Sequence, residues 1–167
     1  MNIRMTRLLG ALAATGAIAV AVPANAVTTG ANLGVSASVG SNCSLTTTPV
    51  AFGTIDVTGG NADATGGIDV VCTNGTAWAA SADAGTGATA TLALRQMTAG
   101  TDLLNYVLYT DAGRTTVWGD GVGGSTALIS DTGTGTEQLK TIYARVPSGQ
   151  TAPAGDYADT VAVTVTY

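Results

Sequence analysis

Histidine is missing from this chain of 167 residues, and charge is scarce, with 10% of positions Asp, Glu, Lys or Arg. Without imidazole no Ser–His or Cys–His pair can form, which removes the commonest route to an activated nucleophile. Glu137 is the single glutamate, and the aspartates sit mostly in turns, where the side chain serves the backbone. No catalytic residue is therefore assigned. With no histidine and two cysteines, ordinary nitrogen and sulfur ligands cannot build a metal site, so neither metal nor cofactor is expected. Cations are equally few. Beyond Arg4 and Arg7 there are Arg95, Arg114, Lys140 and Arg145, against eleven acidic residues. Such a chain cannot neutralise a run of phosphates or adhere to anionic lipid, which argues against nucleic acid and membrane surfaces as partners.

Long apolar runs are confined to the first 26 residues. Arg4 and Arg7 form a positive start, Leu8 to Val22 an apolar stretch, and Ala24-Asn25-Ala26 a small-residue cleavage motif. Together they read as a secretory signal peptide over 1–26, and no membrane span is expected after its removal. In an exported chain the even pair Cys43 and Cys72 reads as one disulfide.

Thr, Ala, Gly and Val are abundant, and their order has period two. In the last stretch Tyr157, Val161, Val163, Val165 and Tyr167 share one parity, interrupted by Asp159; Ala158, Thr160, Ala162, Thr164 and Thr166 share the other. Alternate strand side chains face opposite ways, so this is a strand over Gly155 to Tyr167 with one apolar face. A strand of this kind needs a neighbour on each side. Two earlier strands of the same chain could supply them, or one could come from another molecule. Val27 to Val39 has the same alternation, with Leu33, Val35, Ala37 and Val39 on the apolar side and small polar residues opposite. Its glycines make it a poor strand by itself.

Between these ends the pattern predicts short strands at Val50–Val57, Ile68–Thr73, Trp78–Ala82, Thr89–Met97, Leu103–Tyr109, Thr115–Trp118, Thr126–Ile129 and Leu139–Val146. Gly59-Gly60-Asn61 and Gly66-Gly67 bracket an expected turn. No helical period appears after the leader. Many short strands with regular turn signals predict an antiparallel β-sandwich, immunoglobulin-like, in one domain. Gly119 to Gly124 formally matches G-x-G-x-x-G, but a strand rather than a helix is expected after it, so it reads as a hairpin loop. Trp78 and Trp118 read as core.

Several motifs in order carry a family resemblance. They are Cys43-Ser44-Leu45, Phe52-Gly53, Val70 to Thr73, Leu104 to Asp111 (LNYVLYTD), Trp118 to Gly121 (WGDG), Tyr143 to Pro147 (YARVP) and Pro153 to Tyr167 (PAGDYADTVAVTVTY). The chain resembles the spore coat protein U domain, found in subunits of archaic (Csu-type) chaperone–usher pili. The resemblance implies an incomplete immunoglobulin-like sandwich over 41–167, completed by donor-strand exchange with the extension 27–40 of a neighbouring copy. It implies Leu33, Val35, Ala37 and Val39 as donor anchors, and Tyr157, Val161, Val163, Val165 and Tyr167 as the acceptor groove and chaperone-contacting strand. The implied partners are a periplasmic pilus chaperone, an outer-membrane usher and neighbouring subunits in a homopolymer. The implied place is a cell-surface pilus reached through the periplasm, serving adhesion and biofilm formation. The alternative is a self-complete secreted β-sandwich that binds carbohydrate or another surface ligand through its loops, with Trp118 and Gly119–Gly124 as its platform.

Overall fold

The computed structural model describes residues 25–124 and 126–167. The expected signal peptide therefore lies outside the described residues, except for its last two positions. Among the described residues eight strands form, all pairings between them antiparallel: β1 (Cys43–Thr48), β2 (Ala62–Cys72), β3 (Ala77–Ala82), β4 (Arg95–Ala99), β5 (Asp102–Tyr109), β6 (Ile129–Thr132), β7 (Gln138–Val146) and β8 (Val163–Thr166). Among the described residues no helix is long and apolar enough to cross a membrane.

The strands form two sheets, ordered β1-β2-β7-β5-β4 and β6-β3-β8. Their inward side chains share one core. Ile68, Val70 and Cys72 come from β2, Ile142, Ala144 and Val146 from β7, and Leu104, Tyr106 and Leu108 from β5; Trp78, Ala80 and Ala82 of β3 face them. Every second residue in each run is buried, the pattern a sheet with one dry face produces. The expected all-β antiparallel sandwich is what forms.

Cys43 and Cys72 face each other across the β1–β2 ladder and are joined in a disulfide. Trp118 is 2% exposed. Its indole Nε1 donates to the Ala80 carbonyl of one sheet, and its backbone N–H to the Leu108 carbonyl of the other. This position corrects the idea of Trp118 as a ligand platform, because a ring so enclosed offers no face to a sugar. It stitches the sheets together instead.

Several expectations are revised in physical terms. Gly66-Gly67 is not a turn but the middle of β2. A Cβ on Gly66 would stand 2.7 Å from both the Thr48 carbonyl oxygen and a Val50 methyl, so the glycine admits the end of β1 as it crosses. Val50–Val57 forms no strand. Val50 and Phe52 turn inward, then Ile55 and Val57, and the phase slips at Gly53, whose φ is +65°. The last strand is short, Val163–Thr166 rather than Gly155–Tyr167, because the chain crosses between sheets before it: Ala158 bridges Thr98 of β4, while β8 pairs with β3. Thr89–Met97 is likewise strand only from Arg95, and Thr115–Trp118 is held by isolated bridges.

The covalent link closes a 29-residue separation. Replacing both cysteines by serine is expected to lower the unfolding free energy by about 2–4 kcal/mol, read from urea denaturation of the oxidised protein and the double variant.

Candidate functional site

Among the described residues strand β8 has one partner, β3, and stands at the end of its sheet. The ladder fixes which backbone groups are used. Ala162 exchanges bonds with Asp83, its carbonyl accepting from the Asp83 N–H at 3.0 Å and its N–H donating to Asp83 Oδ1 at 2.9 Å. Thr164 lies opposite Ser81 and Thr166 opposite Ala79. Antiparallel pairs alternate between bonded and non-bonded, so Val163 and Val165 turn their N–H and C=O groups away from β3, toward the open side.

The same residues carry the apolar row. Tyr157, Val161, Val163 and Val165 are half-buried against the core, while Ala158, Thr160, Ala162, Thr164 and Thr166 are exposed. Tyr167 departs from the expected row. It follows the end of β8 and is 56% exposed, so it stands at the margin of the groove.

Beside this edge, within the unit Ser38–Tyr167, lies a groove. One cavity of about 470 Å³ reaches down to Tyr106, Leu108, Trp118 and Ile142 and is bordered by Val161 and Val163. A second, of about 650 Å³, continues between Val50–Val57 and Ala152–Tyr157, with Met97 and Leu104 beneath. The two share Val50, Phe52, Met97 and Tyr157 in their walls. The far bank is therefore Val50–Ile55, which makes no backbone–backbone hydrogen bond among the described residues. The open edge of β8 and the ladder-free segment Val50–Ile55 thus border the same cavity, over a floor of Tyr106, Leu108, Trp118 and Ile142. The far bank escapes a simple alternation count because Gly53 divides it into two short phases.

Beside Val161 a carboxylate borders the groove. Asp159, which interrupts the apolar row, accepts the Tyr106 hydroxyl at 2.7 Å, the Thr86 hydroxyl at 2.6 Å and the Thr86 N–H at 2.8 Å. Burial pushes its carboxyl pKa up, but the bonds from Thr86, Tyr106 and Thr160 outweigh it and hold the group below its ordinary value of 3.8. Burial and the bond to Asp159 drive the Tyr106 phenol well above its usual range. Arg95 lies nearby at 0% exposure. Its guanidinium donates to the carbonyls of Asp83, Leu92, Ala82 and Trp118. Desolvation lowers its pKa, opposed by Tyr106, Asp83 and Asp159, and the group stays charged.

The segment expected to serve as donor carries no strand. Leu33, Val35 and Val39 are 88%, 87% and 87% exposed, and Ala37 is exposed as well. Four alternating apolar side chains in water are an unfavourable arrangement that a partner would relieve.

Among its described residues the chain is an antiparallel sandwich with one strand edge open beside a groove. The chain belongs to the Spore Coat Protein U domain family, whose model matches residues 29–164. It is 34% identical over 183 residues to Protein U of Myxococcus xanthus, with the whole of both chains covered. Among solved structures it is similar to a chain of the CsuC–CsuE chaperone–tip adhesion subunit pre-assembly complex from the archaic chaperone–usher Csu pili of Acinetobacter baumannii. There the TM-score is 0.55 at 23% identity, over 76% of this chain and 40% of that one. That likeness speaks to the fold.

Asp159 and Asp63 both have carboxyl groups held below the ordinary value, Asp63 by the hydrogen bond from Arg145. A depressed folded pKa contributes stability that is complete above the unfolded value and lost as pH falls through the folded one. Beside Asp159 stand the Tyr106 phenol, pushed up by burial and by its bond to Asp159, and the charged Arg95 guanidinium, and neither reverses this sign. Urea midpoints are therefore expected to be flat from pH 7 to pH 5 and to fall below pH 4. Asp159→Asn should lower the neutral midpoint and shrink the acid drop.

Proposed function

We propose that this chain is a structural pilus subunit that polymerises by donor-strand complementation. Its extension, residues 27–40, lies along β8 of the next copy, within the sandwich formed by 41–167. The observation that carries this reading is the match between two unsatisfied parts of one chain. Val163 and Val165 offer a free backbone edge over an apolar groove, and Leu33, Val35, Ala37 and Val39 form an exposed apolar row of the right period. A strand laid between β8 and Val50–Ile55 bonds to both banks while its side chains fill the floor. Burying four such side chains contributes about 4–8 kcal/mol before ordering costs. Because donor and acceptor are different surfaces, the contact repeats head to tail and generates an open filament of identical subunits.

The family match begins at residue 29, which includes the extension in the family's pattern. The Acinetobacter complex pairs a pilus subunit with its chaperone, which supports a periplasmic chaperone as the temporary occupant of this groove and an outer-membrane usher as the place of exchange. Residues 1–26 serve as the export signal. The filament stands at the cell surface, where it serves adhesion and biofilm formation. The spore coat association in the family's description gives a second setting for the same assembly, a coat of strand-exchanged subunits. Electron microscopy of the producing cells separates the two.

The reading is tested by moving the extension. One form has residues 27–40 deleted, and a second carries them through a short flexible linker after Tyr167. The fused form is expected to be a monomer that melts at least 10 °C above the deleted form and does not polymerise. The unaltered chain should form filaments by electron microscopy. Equal melting temperatures for both altered forms, with the unaltered chain remaining monomeric, would overturn it.

A further inference from the structure

An empty apolar groove is not a stable object by default. Its walls gain by meeting one another, so a site that must stay ready for an incoming strand needs something that holds the walls apart. The segment Ala158–Ala162 is the exposed point of this problem, because it passes from one sheet to the other with little ladder of its own. It is fixed at three places. Ala158 exchanges two backbone bonds with Thr98 of β4, at 2.9 and 3.1 Å, and Ala162 is tied to Asp83 at the end of β3. Between them stands Asp159.

An aspartate in this row needs a reason, since its neighbours of the same parity are Tyr157, Val161 and Val163. Its carboxylate joins both layers: one oxygen accepts the hydroxyl of Tyr106 from β5, and the other accepts the hydroxyl and N–H of Thr86 from the loop after β3. Gly85 leaves the space, for a Cβ there would collide with the Asp159 carboxylate. Arg95 runs parallel to this tie, reaching from β4 to the carbonyls of Ala82, Asp83 and Trp118. Every partner of Asp159 comes from the chain itself, so its bonds are complete before any strand arrives.

We infer that Asp159, through Tyr106 and Thr86, is a positioning residue that keeps the groove beside β8 open and in register while it is empty. The role rests on the strand-accepting reading for its purpose, but it is a property of the unoccupied chain. A polar brace of this kind raises the fraction of molecules ready to accept a strand, so it acts on the rate of uptake. Once the strand is in place, its own ladder holds the groove and the brace matters little to release.

The test uses the full secreted chain, diluted to remain monomeric, and its variants Asp159→Asn, Tyr106→Phe and Gly85→Ala. Amide hydrogen exchange is followed in Val161–Thr166 at the amides that bond toward β3, those of Ala162, Thr164 and Thr166, with Ile68–Val70 and Ile142–Ala144 as internal references. Uptake and release of a synthetic peptide of residues 27–40 are measured on the same samples. Asp159→Asn and Gly85→Ala are expected to speed exchange at Val161–Thr166 by about tenfold while the references hold, and to slow peptide association by a similar factor with dissociation unchanged. Tyr106→Phe, the mildest change, should shift both in the same direction by less. Unchanged exchange at Val161–Thr166, or a rise shared equally with the reference strands, would overturn the inference. If the unaltered chain takes up no peptide while the edge-specific rise remains, the strand-accepting reading fails and the brace stands. If peptide uptake is normal in every variant, the brace fails and the reading stands.

Discussion

Backbone hydrogen bonding at one strand edge governs this molecule. Val163 and Val165 have N–H and C=O groups turned away from β3, and their side chains sit over an apolar groove. Water can satisfy the first pair of demands but not the second, because hydrating the edge also wets the groove. A strand satisfies both together. On the reading proposed above, this edge is an interface for a main chain with small apolar side chains at every second position.

The rest of the fold shows how an open sandwich can still be a folded one. Elsewhere its parts are tied by means that do not involve the open edge of β8. The disulfide fixes β1 to β2. Trp118 bonds to both sheets. Arg95 satisfies four carbonyls in the interior near the open side. A buried arginine with carbonyl partners alone is expensive to desolvate, and its placement beside the groove, close to Tyr106, Asp83 and Asp159, makes sense as reinforcement where strand pairing runs out.

Part of this was legible in the sequence. The alternation from Tyr157 to Val165 marks the half-buried row because strand periodicity is a local signal, and the burial seen along that row follows it position by position. The two cysteines could be paired by counting. Local signals failed where the cause was distant or where a glycine hid the phase. Val50–Val57 reads as weakly patterned because Gly53 splits it, and Gly66-Gly67 reads as a turn because the strand end that crowds it is not adjacent in sequence. Asp159 could be seen only as an interruption, since its partners Thr86 and Tyr106 lie 73 and 53 residues away. Trp118 reads as core, as it is, but the two backbone ties that set it between the sheets leave no local signal.

The central claim is that the unfilled edge of one copy is completed by the extension of another. Assemblies grown from a mixture of two differently labelled preparations test it most directly. One carries 15N and the other 13C, and solid-state NMR detects contacts between copies. The account predicts transfer between the amides of Val161, Val163 and Val165 of one label and the carbonyls of Leu33 to Val39 of the other. Assemblies without such transfer, or assemblies in which those amides meet only their own chain, would contradict it.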